Sequence, residues 1–268
     1  MQQANAENPN CGLELRGVNK QFALRDGSVV TALSNIDLQL AQTEIGILLG
    51  PSGCGKSTLL RIVAGLESCD SGKAELQREI IKGPGPERGM VFQTYSSFPW
   101  LSVRDNVAFG LRQRGDSISL REGVVDYFLD AVKLSAFANA YPHQLSGGMQ
   151  QRVAIARTLA SNPNLLLMDE PFGALDPETR WQMQSLLLEI VQRERTTVLM
   201  VSHDIEEALY LADVIFFMGT RPGRILEVIR PNLKKNSNDR DAILSDPHYR
   251  ALELEIRDRM RQQSLNLL

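Results

Sequence analysis

The chain is poor in several features that would have assigned its class at once. Its three cysteines, Cys11, Cys54 and Cys69, are an odd number without metal-type spacing, so neither a disulfide framework nor a zinc module is expected and the usage fits a reducing compartment. It lacks a surplus of positive charge: 29 basic residues against 32 acidic ones leave a net charge of -3, which removes the basic patch by which nucleic-acid binders are recognised. It lacks an apolar run long enough to span a bilayer, and Met1-Gln2-Gln3-Ala4-Asn5 is polar, unlike a signal peptide. A cytoplasmic protein, or a soluble part of a membrane complex, is expected. Its 268 residues suffice for a large core in one elaborated domain or two small ones, and no internal repeat is present.

What is present centres on Gly50-Pro51-Ser52-Gly53-Cys54-Gly55-Lys56-Ser57-Thr58, which fits the pattern G-x-x-x-x-G-K-[ST]. The apolar run Glu44–Leu49 before it suits a buried parallel strand, and Ser57–Gly65 after it has helical spacing and a glycine stop. Strand, glycine-rich turn and helix start together aim backbone N–H groups and a helix dipole at one point, where phosphate is the natural occupant. Lys56 can reach the β- and γ-phosphates and the Ser57 hydroxyl can ligate magnesium. Cys54 fits the loop as a small residue, but a helix N-terminus can lower a thiol pKa, so a thiol-alkylating reagent is expected to block the activity of the site, with bound nucleotide protecting.

Along the chain, residues 1 to about 11 read as a frayed polar start. Leu13–Val18, Val29–Leu33 and Ile36–Leu40 alternate as antiparallel strands, with Phe22 in the turn between them, where it can pack or stack on an adenine face. Gly83–Pro86 is a turn and Gly89–Phe92 a short strand ending at Gln93. Helical character then runs through Val103–Arg112, Leu120–Leu134 and Met149–Ala160. Strands return at Leu165–Met168, Val198–Val201 and Val214–Met218, separated by helical Glu178–Glu194 and Ile205–Leu211. This order predicts an α/β core with a helical insertion. Asn232–Asp241 is linker-like, and Tyr249–Met260 reads as an amphipathic helix with a solvated charged face.

Leu165-Leu166-Leu167-Met168-Asp169-Glu170 is a buried strand delivering two acids at its C-terminal end, where ligands of open α/β sheets bind. Asp169 is expected to hold the magnesium between the β- and γ-phosphates, and Glu170 to orient or deprotonate the attacking water.

With Leu145-Ser146-Gly147-Gly148-Met149-Gln150-Gln151-Arg152, the chain resembles the ATP-binding subunits of ABC transporters over about residues 13 to 230, although Met149 stands where the signature usually has Gln. Physically, Ser146 caps a helix whose first turn holds Gly147 and Gly148, a second anion-ready helix start. The resemblance implies a RecA-like P-loop NTPase core with an antiparallel β subdomain and an inserted α-helical subdomain: an ABC ATPase domain at residues 12–231, its insertion at about 95–160, then a linker and helical tail at 232–268. It implies ATP and Mg2+ as cofactors. It assigns Gln93 to the magnesium-sensing loop, Asp176 of Gly173-Ala174-Leu175-Asp176 to the inter-subunit loop, His203 to the γ-phosphate and Phe22 to the adenine face, although Gly173 replaces a frequent serine and Phe22 a usual tyrosine.

The same resemblance implies a head-to-tail dimer, homo- or heteromeric, in which Ser146, Gly147 and Gly148 of one subunit cover the nucleotide of the other. Transmembrane permease subunits would insert a coupling helix near Gln93, against the aromatics of Ser97-Phe98-Pro99-Trp100-Leu101-Ser102-Val103. The Pro99-Trp100 pair, Arg221-Pro222-Gly223-Arg224-Ile225 and the short tail are similar to the nitrate, sulfonate, taurine and bicarbonate importers. A prokaryotic importer working with a periplasmic binding protein, peripheral on the cytoplasmic side of the inner membrane and without nucleic acid, is expected. The alternatives are an ABC ATPase for another transport substrate, or a soluble non-transport ABC ATPase. The tail is expected to be too short for a β-barrel regulatory domain.

Overall fold

Alternating apolar and polar residues build two long antiparallel strands, β1 (Cys11–Ala23) and β2 (Val29–Ala41), in a computed structural model that describes residues 11–94, 96–233 and 240–265. The runs Val29–Leu33 and Ile36–Leu40 are one strand, which passes a left-handed Asn35 (φ 49°) and shifts register between Lys20↔Leu33 and Val18↔Ile36. Phe22 lies on β1 opposite Val30 rather than in the turn, which is closed by Leu24 N donating to Ser28 O at 2.8 Å.

Then follow β3 (Ile45–Leu49), α1 (Lys56–Val63), β4 (Ser71–Leu76), β5 (Glu79–Ile80) and β6 (Arg88–Val91). Three helices come next with no strand between them: α2 (Val103–Arg114), α3 (Ile118–Ala131) and α4 (Gly147–Ala160). The α/β alternation resumes with β7 (Leu165–Asp169), α5 (Pro177–Glu194), β8 (Thr197–Ser202), α6 (Ile205–Leu211), β9 (Val214–Gly219) and β10 (Arg224–Ile229), and α7 (Arg240–Ser245) and α8 (Pro247–Leu265) follow. The sequence did not announce β4, β5 or β10. Ser102 and Ser117 start α2 and α3 by accepting bonds from Asp105 N and Leu120 N.

One sheet has the order β2-β1-β4-β5 and is antiparallel; the other runs β10-β9-β3-β8-β7-β6, parallel except for its edge strand β10. Its inner strands are buried on both faces, which is why they read as unbroken apolar runs. Alternate residues feed two cores. Ile47, Leu49, Met168 and Met200 join the helical side, whereas Leu48, Leu167 and Val201 join Leu13 and Leu15 of the antiparallel sheet and Leu59 of α1.

The tail helix is more than a solvated charged face: Tyr249 and Ile256 are buried in the helical-side core, where α8 packs on α6. Of the expected linker, residues 234–239 lie outside the described residues and its last two open α7; the polar start at residues 1–10 lies outside them as well.

Candidate nucleotide site

Parallel register brings distant motifs to one sheet edge. Leu49 pairs with Ser202, Val201 with Asp169, and Met168 with Val91. The C-terminal ends of β3, β8, β7 and β6 therefore deliver the phosphate loop, His203, Asp169-Glu170 and Gln93 side by side.

The loop Gly50–Thr58 leads into α1 through Gly55, whose φ of 94° is left-handed and whose N-cap position has no side-chain cap. The first N–H groups of α1 are thus open to an anion. A Cβ on Gly55 would also meet Leu33 Cδ2 at 2.7 Å. Lys56 is buried, its Nζ donating to Gly50 O at 2.7 Å and Pro51 O at 2.9 Å. Both partners are neutral, so the ammonium charge stays available to a phosphate. These groups open on a pocket of about 420 Å³ whose walls include Phe22, Val30, Gly53, Lys56, Thr58 and Glu170.

Ser57 Oγ donates to Asp169 Oδ1 at 3.0 Å. Burial pushes the Asp169 carboxyl above the usual carboxylate range, with the Ser57 bond opposing it. Glu170 follows with a left-handed φ of 43°, which bends the chain off β7 and turns the carboxylate back into the pocket. A non-glycine residue in that region is locally strained, and such strain is found where a side chain must be held in one place. The carboxylate is held: Glu170 Oε2 lies 3.2 Å from His203 Nδ1 and accepts a long bond of 3.4 Å from Gln93 Nε2. Gln93 meets Glu170 through this bond.

At Cys54 the expectation of a lowered thiol pKa is overturned. The side chain is 1% exposed and burial pushes the thiol up, against the opposing pull of the Lys56 ammonium.

A second group of residues assembles elsewhere. Ser146 caps α4, its Oγ accepting from Met149 N at 3.4 Å, and Asp176 caps α5 by accepting from Thr179 N at 3.0 Å, which holds its carboxyl below the usual range. The two helix starts abut, since a Cβ on Gly148 would fall 2.7 Å from Thr179 Cγ2. Among the described residues, Ser146, Gly147, Gly148 and Asp176 do not line the pocket that holds Lys56. The predicted site residues thus form two clusters in one chain. Arg221 and Gly223 line the pocket too. Sequence reading had placed them only in a family-like stretch, the one available signal being a glycine turn after an apolar strand.

Beyond Gln93 a groove of about 780 Å³ runs between β6 and the helical insertion, with Met90, Phe92, Phe98, Phe109 and Arg157 in its wall. Phe98 is half-buried, its ring tilted against those of Phe109 at 4.5 Å and Trp100 at 5.5 Å between centroids, with the Arg157 guanidinium over its ring at 5.0 Å. Trp100 is 71% exposed. Of the two aromatics, Phe98 is a wall and Trp100 the projecting side chain.

The family model described as ABC transporter matches residues 33–173. The nitrate import ATP-binding protein NrtD of Synechocystis sp. is 49% identical over 221 residues, 82% of this chain and 83% of that protein. The taurine import ATP-binding protein TauB of Jannaschia sp. is 44% identical over 247 residues, 91% of this chain and 92% of that protein. Among solved structures, the dimeric ATP-binding cassette MJ0796 in a post-hydrolysis state bound to ADP and Pi matches with a TM-score of 0.71 at 31% identity, covering 81% of this chain and 98% of that one. The chain belongs to the ABC transporter family, as one of its ATP-binding cassettes.

Proposed function

We propose that this chain is the ATP-hydrolysing subunit of a prokaryotic ABC importer for a small anion of the nitrate, sulfonate, taurine or bicarbonate kind. The observation that carries the reading is the convergence of Glu170, held by His203 and Gln93, on the pocket of the phosphate loop.

In this reading Phe22 stacks on adenine, and the backbone of Gly50–Thr58 with the open start of α1 cradles the phosphates. Lys56 exchanges its two carbonyl partners for β- and γ-phosphate oxygens. Glu170 accepts a proton from the water whose oxygen attacks the γ-phosphorus, while the bond from that phosphorus to the β–γ bridging oxygen breaks and ADP leaves. His203, exposed beside Glu170, contacts the γ-phosphate. The pair Ser57 Oγ and Asp169, an alcohol and one carboxylate, fits Mg2+, which keeps most of its shell for water and phosphate oxygens. Ser57, Gln93 and Asp169 would hold that ion, which when bound offsets phosphate charge.

The separation of the two clusters supports a head-to-tail dimer, identical or mixed, in which Ser146, Gly147, Gly148 and Asp176 close over the nucleotide of the other subunit. The groove walled by Phe98 and Phe109 suits a short apolar segment of a permease subunit, with Trp100 at its rim. Among the described residues no helix is long and apolar enough to cross a membrane, and a peripheral place on the cytoplasmic face of the inner membrane accords with that. A periplasmic binding protein would act on the far side, through the permease. The whole ATPase domain, residues 12–231 with the insertion at about 95–160, would serve this cycle, followed by the tail at 232–268.

Glu170→Gln should retain ATP binding, accumulate an ATP-bound dimer on gel filtration and lower turnover by about a hundredfold or more. Unchanged turnover removes Glu170 from the role of base. Co-purification with its permease and uptake of nitrate or taurine by the reconstituted complex tests the cargo; ATP turnover without membrane partners or uptake of either anion would favour a non-transport ATPase.

A further inference from the structure

The turn between β9 and β10 belongs to neither cluster, yet it forms part of the pocket wall. Gly223 N donates to Ala32 O at 3.1 Å and Ser34 N donates to Gly223 O at 2.9 Å, adding one parallel bridge between the turn and β2 at Leu33. The approach is close enough that a Cβ on Gly223 would stand 2.2 Å from Cys54 O. The turn therefore touches both the sheet that carries Phe22 and the loop that carries Lys56.

Arg221 sits two residues upstream and lines the same pocket as Phe22, Val30 and Lys56. Its φ of 51° is left-handed, a conformation that L side chains rarely adopt. Its side chain is exposed and, among the described residues, makes no hydrogen bond or ion pair. Other arginines of the surface, such as Arg112, Arg114 and Arg257, are engaged by neighbouring carboxylates. A guanidinium without a carboxylate, on a backbone pinned to β2 and the phosphate loop, presents a fork of donors where an anion is to be bound.

We propose that Arg221 binds the α-phosphate of ATP, between the aromatic platform of Phe22 and the β- and γ-phosphates held by Lys56. This rests on the nucleotide reading of the pocket and adds a residue to it. The turn would position Arg221, and Arg221 would act on affinity rather than on the hydrolytic step, because Glu170 and His203 lie at the opposite end of the nucleotide.

The test uses Arg221→Gly, which keeps a residue at ease in the left-handed backbone while removing the guanidinium, and Arg221→Lys, which keeps the charge without the fork. Calorimetric titration of the full chain with ADP should show about tenfold weaker binding for Arg221→Gly, equivalent to about 1.4 kcal/mol, and a smaller loss for Arg221→Lys. Adenosine, which lacks the phosphate, should bind the wild type and both variants alike, and KM for ATP should rise by the same factor with kcat unchanged. ADP affinity within twofold of wild type in Arg221→Gly overturns the proposal, as does an equal loss for adenosine, which would assign the effect to a displaced platform. Lys56→Ala in the same titration separates the two readings. If it loses ADP while Arg221→Gly does not, only the role of Arg221 falls; if it retains ADP, the phosphate-loop reading falls and Arg221 with it.

Discussion

At the scale of single residues, Cys54 shows a competition between a helix start and burial. The open N-terminus of α1 and the Lys56 ammonium favour a thiolate, but a side chain 1% exposed loses the solvation a thiolate needs, and the thiol is pushed up. A maleimide-type reagent should therefore modify the half-buried Cys69 well before Cys54, with ATPase activity retained and no protection by ATP. Peptide mass spectrometry beside steady-state turnover checks this; loss of activity in step with Cys54 modification would restore a reactive thiol. Lys56, Ser57 and Asp169 were legible because a fixed local spacing defines the phosphate loop and an apolar strand ending in acids defines its partner. Arg221 was not: its place in the pocket depends on the bridge between Leu33 and Gly223, a contact between residues far apart in sequence.

At the scale of elements, strands buried on both faces and helices with an apolar stripe announced themselves, since each pattern has one physical reading. Of the strands that escaped, β5 and β10 lie at edges, while β4 is an inner strand with only two fully buried residues. β10 alternates half-buried and exposed positions and has no fully buried residue, so it offers no apolar run. α8 was legible as a helix, but its charges concealed the stripe that places Tyr249 and Ile256 in the core beside α6. α6 itself begins at Asp204, which caps it by accepting from Glu207 N at 3.2 Å, directly after His203. The tail thus braces the helix that follows His203. Ile256→Ala empties a fully buried position and should cost about 2–5 kcal/mol. Urea unfolding measures it, and a loss below about 0.5 kcal/mol, the usual range for surface changes, would mean that α8 does not share the core in solution.

For the whole molecule, the decisive arrangement is the division of the predicted site residues between two places. Lys56, Asp169 and Glu170 stand at one sheet edge, while Ser146, Gly148 and Asp176 meet at the junction of α4 and α5 and do not line that pocket. A site complete within one chain and a site shared by two chains differ in complementation. Lys56→Ala disables the phosphate loop and leaves Ser146 intact; Ser146→Arg blocks the start of α4 and leaves the loop intact. Each variant alone should be inactive. In a head-to-tail dimer the mixed pair has one site with both parts intact, so equal mixing should restore about a quarter of the wild-type activity: half the dimers are mixed and each has one working site of two. A self-contained site restores nothing, because each chain carries its own defect. Titrating one variant into the other at fixed total protein should give a maximum at equal amounts, and a flat baseline across the titration would reject the shared site.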